Sequence, residues 1–141
     1  MEGTGYEHAE LTGRIIGAAI SVHRELGPGL LESAYEDCLA FEMHAIGMRF
    51  VRQMDLPVVY RTHRLDCGYR LDFVVEDAVI LELKSVEKLA PIHEAQLMTY
   101  LRLSRKTVGL LINFNVPVLK DGVVRRALSR PVSSATSASL R

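Results

Sequence analysis

Between Glu7 and Leu26 the apolar residues Leu11, Ile15, Ala18, Val22 and Leu26 recur at steps of three and four, which predicts an amphipathic helix stopped by Gly27 and Pro28. A second helix is predicted from about Leu30 to Ile46, with Leu31, Ala34, Tyr35, Cys38 and Leu39 on one side and Gly47 as its C-terminal cap. The stretches MRFVRQMDLPVVYR and RLDCGYRLDFVVEDAVILELKS then change to short runs of β-branched and aromatic residues between turn residues. They predict three or four strands, with Pro57 at an edge or a bulge. Pro91 opens a further helix that runs to about Ser104, KTVGLLINF reads as a buried strand, and VLKDGVVRRAL reads as a last hairpin turning at Asp121-Gly122. The pattern outlines one domain over residues 8–128, preceded by a flexible segment at 1–7. The stretch 129–141, with its small polar SSATSASLR, has too little apolar bulk to order itself.

One hairpin breaks the apolar pattern in a regular way. In GYRLDFVVEDAVILELKS, residues 68–85, the odd positions Tyr69, Leu71, Phe73 and Val75, and then Val79, Leu81 and Leu83, form an apolar face. The even positions Arg70, Asp72 and Val74, and then Ile80, Glu82 and Lys84, carry all the charge. Opposed residues of an antiparallel pair point to the same side, so joining the two apolar sets requires an even residue-number sum. A sum of 154 leaves Glu76, Asp77 and Ala78 as a three-residue loop and sets Asp72 opposite Glu82. Two opposed carboxylates repel by some tenths of a kcal/mol or more unless a cation sits between them, and a divalent metal ion is the natural occupant. The competing reading is a solvated outer face on which Lys84 pairs with one acid, although Val74 and Ile80 on that face argue against full exposure.

Composition narrows the function classes. Seventeen basic residues balance seventeen acidic ones, so the whole-molecule field does not draw the chain to nucleic acid or anionic membrane, and phosphate binding would need a local patch. Arg49, Arg52, Arg61, Arg64, Arg70 and Lys88 near the strands, and Arg102, Arg105 and Lys106 at the end of the helix that Pro91 opens, are the candidates. With no Trp, four Phe and five Tyr, most of them at expected core positions, there is little material to stack bases and no indication of sequence-specific readout. Cys38 and Cys67 have no metal-ligand spacing and fit a reduced intracellular protein. No apolar run reaches the roughly 18 residues of a membrane span, and MEGTGYEHAE is acidic without a signal-peptide core. The expectation is a soluble, cytoplasmic chain without a membrane partner.

Asp72, nine intervening residues, and then Glu82-Leu83-Lys84 resemble the D-x(n)-(D/E)-x-K core of the PD-(D/E)XK nuclease superfamily, with Leu71 where that pattern places Pro. GLLESAY, Gly29–Tyr35, is similar to the G-x-x-E-x-x-Y signature of a family of small proteins within that superfamily, and HRELGPGLLESAYE resembles it along its length. QLMTY, Gln96–Tyr100, is similar to the Q-x-x-x-Y helix motif that follows the E-x-K strand in some members. The three motifs stand in the family's order, and the resemblance covers roughly residues 8–128.

The resemblance implies an α/β fold in which two N-terminal helices precede a mixed central β-sheet flanked by helices. It implies a nuclease that hydrolyses DNA or RNA with a water activated by Mg²⁺ or Mn²⁺. Asp72 and Glu82 would hold the ion through oxygen ligands, which suits a hard cation. Glu32 would join them directly or through water, and Lys84 would orient the attacking water and offset charge on the phosphorane. Gln96 and Tyr100 would touch substrate, and the Tyr35 hydroxyl would support the site. His93, His23 and Glu25 lie near these motifs without a family role. Two alternatives stay open: a noncatalytic nucleic-acid-binding or protein-interaction domain that keeps the nuclease fold, and a self-associating homo-oligomer.

Overall fold

The computed structural model describes residues 6–66 and 68–129. The segments 1–5 and 130–141, on which most of the expected flexible N-terminus and tail fall, lie outside the described residues, as does Cys67.

Helix α1 spans Ala9–Leu26 and α2 spans Glu32–Ala45, so both amphipathic patterns form helices. Leu31, assigned above to the core side of α2, is instead the residue before its first turn and is 77% exposed. Strands β1 (Phe50–Asp55), β2 (Val58–Tyr60), β3 (His63–Leu65), β4 (Arg70–Val75) and β5 (Val79–Lys84) follow, one more than the three or four expected. The surplus comes from β2 and β3, three residues each, which pair only with one another. Pro57 stands where the chain leaves β1 for this small ribbon. Helix α3 (Pro91–Ser104), strand β6 (Val108–Asn113), a 3-10 turn at Leu119–Gly122 and strand β7 (Val123–Ala127) complete the described chain.

The five long strands form one sheet in the order β1-β4-β5-β6-β7. Only β5 and β6 run parallel, because α3 carries the chain across between them, and every other neighbouring pair is antiparallel. The expected turn at Asp121-Gly122 is therefore not the bend of a hairpin. It ends a 3-10 turn, and β7 pairs back along β6 from Val108↔Ala127 to Ile112↔Val123. All six residues of β6 are buried, as expected for a strand covered on both faces.

The sheet separates two apolar layers. Against α1 and α2 it presents Phe73, Val75, Val79, Leu81, Leu83, Leu110 and Ile112, which pack on Ile15, Val22, Tyr35, Leu39 and Met43. Against α3 it presents Val74, Ile80 and Leu111, which pack on Leu97, Tyr100 and Leu101. Leu71 belongs to this second layer and not to the Phe73 side as alternation predicts. The alternation is interrupted at Asp72, opposite which Gln53 of β1 has a left-handed backbone with φ of 51° and no rung to β4. The family's expected architecture, two leading helices and a mixed sheet between helical layers, is the one found.

Candidate functional site: an acidic pair at the end of a strand ladder

Strands β4 and β5 pair at Phe73↔Leu81, Val74↔Ile80 and Val75↔Val79, the register with residue sum 154, and Glu76–Ala78 form the loop. The ladder ends there. One step further, Asp72 and Glu82 replace the next rungs with side-chain bonds. The Asp72 N–H donates to Glu82 Oε2 at 3.0 Å, and the Leu83 N–H donates to Asp72 Oδ2 at 2.8 Å. Each carboxylate thus satisfies a backbone donor of the other's strand, which partly offsets the cost of placing two acids side by side.

Glu82 is only 6% exposed. Burial first, and the Asp72 charge second, push its carboxyl up to about 8, against the Asp72 N–H and the Lys84 ammonium; Glu32 adds a smaller push upward. Burial also raises Asp72, while the Leu83 N–H, the Gln53 amide and Lys84 pull it down and Glu32 raises it. Lys84 therefore acts on both acids through its field, and among the described residues it forms no ion pair. Phe114 N–H donates to the Lys84 carbonyl at 3.0 Å and locks the strand at this level.

Glu32 is placed by the segment that bears the G-x-x-E-x-x-Y pattern, and each of its three positions has a physical role. Gly29 has φ of 101°, a conformation that side chains other than hydrogen disfavour. The fully buried Tyr35 stacks on Phe114 with ring centroids 4.5 Å apart, donates its hydroxyl to the Gly27 carbonyl at 2.6 Å and accepts the Leu30 N–H at 3.1 Å. Ser85, next after β5, donates its hydroxyl to the Leu30 carbonyl at 2.5 Å. This clasp ties the α1–α2 loop to the end of β5, so Glu32 in the first turn of α2 projects its charge on Asp72 and Glu82 while staying exposed. Glu32 does not close into a ligand shell with them: among the described residues, no three His, Cys, Asp or Glu side chains are arranged to hold a metal ion.

Tyr100, 7% exposed, lies in the layer under α3, and its hydroxyl is raised by burial first and then by Glu82, Tyr69 and Asp72. Its ring is 6.2 Å from that of Tyr69. Gln96, one turn earlier on α3, lines a cleft of about 390 Å³ with both tyrosines and makes no direct bond to the acids. His93 caps α3, its Nδ1 accepting the Ala90 N–H at 3.0 Å, and His23 Nε2 is 2.8 Å from the Val116 carbonyl, so each histidine has a backbone partner within the fold.

Several contributors carried no signature in the sequence. Gln53 donates to Asp72 Oδ1 at 3.3 Å and to Glu36 at 2.9 Å, which links β1, β4 and α2 behind the acids. Asn113, paired with Lys84 across the parallel ladder and 2% exposed, accepts the Val86 and Asn115 N–H groups and donates to the Val86 carbonyl. A lone Gln in a strand and an Asn ending another look like ordinary polar residues until the strands are paired. The basic candidates are thinned by ion pairs: Arg49 with Glu76, Arg52 with Glu36 and Asp37, Arg70 with Asp55, and Lys106 with Asp77. The tyrosines also differ from expectation, since Tyr6, Tyr60 and Tyr69 are exposed and only Tyr35 and Tyr100 are core residues.

The chemistry of the donor set fits a hard divalent cation. Asp72 Oδ1 takes only the long bond from Gln53, and among the described residues no donor reaches Glu82 Oε1. Each of the two carboxyl groups therefore retains one oxygen that a cation could take, once Glu82 has released its proton. A mixed sheet between helical layers, with an acidic pair and a lysine where its central antiparallel ladder opens, defines an α/β protein with a half-buried acidic pair at the end of that ladder. Residues 9–126 match the sequence profile of the PD-(D/E)XK nuclease superfamily, and the chain belongs to it. Neither a characterised protein nor a solved structure matches the chain. Among the described residues, no helix is long and apolar enough to cross a membrane.

Proposed function

We propose that this protein is a nuclease of the G-x-x-E-x-x-Y type that hydrolyses phosphodiester bonds in DNA or RNA with Mg²⁺ or Mn²⁺ held by Asp72 and Glu82. The observation that carries the reading is the pairing of these carboxylates across the opened ladder, with Glu82 held up to about 8 beside an ammonium that has no ion-pair partner among the described residues. A structural role would have been met more cheaply by a continued ladder and apolar side chains. When bound, the cation polarises the phosphate and activates a water for attack.

The chain's own residues do the rest. Asp72 and Glu82 would hold the ion, for which Glu82 would have to give up its proton. Glu32, clasped nearby on α2, supports the ion's water shell. Lys84, two residues after Glu82 and so on the same side of β5, orients the attacking water and faces the charge that develops on the phosphate oxygens. Tyr100 and Gln96 border the path of the nucleic acid from the α3 side. Cleavage of labelled single- and double-stranded DNA and RNA in Mg²⁺ and Mn²⁺, run beside Lys84→Ala, tests the reading. The parent cleaves, and Lys84→Ala falls by about 10²-fold or more, the scale of losing one charge-stabilising group. No cleavage of any substrate with either ion, by a protein that remains folded, would leave the noncatalytic binding domain as the correct reading.

A further inference from the structure

The cleft lined by Gln96 and by Tyr100, whose hydroxyl feels the charge of Glu82 and Asp72, has a feature that a metal site does not need. Tyr69, the residue before β4 and three before Asp72, is 46% exposed, and its ring forms one wall of the cleft with Tyr100. Val58 of the small ribbon and Ile92, Gln96 and Leu103 of α3 complete an apolar trough. Tyr69 also lines an adjoining hollow of about 170 Å³ with Arg64 of the ribbon and with Asp55 and Asp66, of which Asp55 is paired with Arg70. Beyond it Tyr60 is 62% exposed, with the Arg61 guanidinium 5.5 Å from its ring centroid. Among the described residues, Arg61 and Arg64 have no acidic ion-pair partner, unlike Arg49, Arg52 and Arg70.

We propose that the exposed face of Tyr69 is a stacking platform for an unpaired nucleobase, with Arg64 and Arg61 contacting the flanking phosphates, so that the substrate is single-stranded nucleic acid or a frayed end. This rests on the nuclease reading for its cleavage step but not for binding. The rings of Tyr69 and Tyr100 are 6.2 Å apart and tilted by 60°, which leaves no room for a base between them, since a sandwiched base needs about 3.5 Å on each side. Tyr100 therefore braces Tyr69 from within, and the free face receives the base. Three residues along an extended strand put Tyr69 about 10 Å from Asp72, so the stacked base belongs to a nucleotide near the one whose phosphate meets the acids. A base inside a duplex is already stacked on both sides and cannot enter the trough without being pulled out. Stacking also suits a chain of zero net charge, because every base has a π-face and the contact depends little on a strong basic field.

Short single-stranded DNA and RNA oligonucleotides carrying 2-aminopurine at successive positions, together with the same strands in blunt duplexes, test the proposal. Binding is measured by anisotropy and by 2-aminopurine fluorescence, with chelator present so that nothing is cleaved. Quenching confined to one region of the single strand, in either sugar type and absent in the duplex, supports the platform. Tyr69→Ala then weakens single-strand binding by about 5- to 100-fold and abolishes the quenching, while Tyr69→Phe retains both. Equal binding of the blunt duplex, or a Tyr69→Ala variant of parental melting temperature that binds and quenches as the parent does, overturns it. Cleavage separates the two readings. Quenching that depends on Tyr69 in a protein that never cleaves keeps the platform and removes the nuclease, whereas cleavage indifferent to Tyr69→Ala keeps the nuclease and removes the platform.

Discussion

Glu82 concentrates the energetics of the site. Its ordinary value is 4.5 and in the fold it lies at about 8, so across that window the folded chain holds a proton that the unfolded chain has released. Stability without divalent ions is therefore full below pH 4.5 and is lost as pH rises through about 8. Asp72, shifted in the same direction, adds to the loss. The Glu82 contribution is on the order of 5 kcal/mol at about 1.36 kcal/mol per pH unit. Melting of the metal-free protein between about pH 5 and 9 should show this decline, and Glu82→Gln should flatten it. A parent whose melting temperature stays level across that range would contradict the buried, proton-holding Glu82. Lys84→Ala separates binding from chemistry at the same scale. It should keep a metal-induced rise in melting temperature and lose cleavage, whereas Glu82→Gln should lose both.

At the scale of elements, the site depends on how strand ends and loops are tied. The Tyr35 hydroxyl serves the Gly27 carbonyl and the Leu30 N–H at once, so Tyr35→Phe leaves two backbone groups without that partner. A loss of about 1–3 kcal/mol is expected in denaturant unfolding, with faster proteolysis in the α1–α2 loop than in the parent. Unchanged loop protection would show that Tyr35 matters only through its stacking on Phe114. The second tie is the approach of the 3-10 turn to the end of β6. A Cβ on Gly122 would fall 2.2 Å from the Asn113 carbonyl oxygen, so Gly122→Ala must displace backbone at the residue that holds the loop after Lys84. We expect a loss above about 2 kcal/mol, larger than an ordinary surface change.

For the whole molecule, charge balance decides how it meets a polyanion. Net charge is zero and Arg49, Arg52 and Arg70 near the site are held in ion pairs, so of the cations without an ion-pair partner among the described residues we take Arg61, Arg64 and Lys84, which flank the proposed path, as those that displace counterions. Three contacts give a slope of about −2 for log affinity against log salt on a single strand. A slope steeper than about −5 would mean that the paired arginines open to the substrate. A divalent ion that binds only the folded chain should raise its stability by about 2.7 kcal/mol at a hundredfold excess over Kd. The rise should be largest above pH 8, where Glu82 no longer has to release a proton.

Local pattern was enough for the helices, for α3 beginning at Pro91, for the buried β6 and for the β4–β5 register, because periodicity and loop length are properties of neighbouring residues. The motifs nominated Asp72, Glu82, Lys84 and Glu32, and the register that brings Asp72 and Glu82 together was already legible in the hairpin's loop length. Partners distant along the chain decided the rest. Where the ladder opens at Asp72, Gln53 and Glu82 meet it, and Leu71 lies in the other layer. The tyrosines divide into core and surface by which helix covers them, and the arginines into paired and free by which acids approach. Such contacts join residues tens of positions apart, and their energies exist only once the sheet has brought them together.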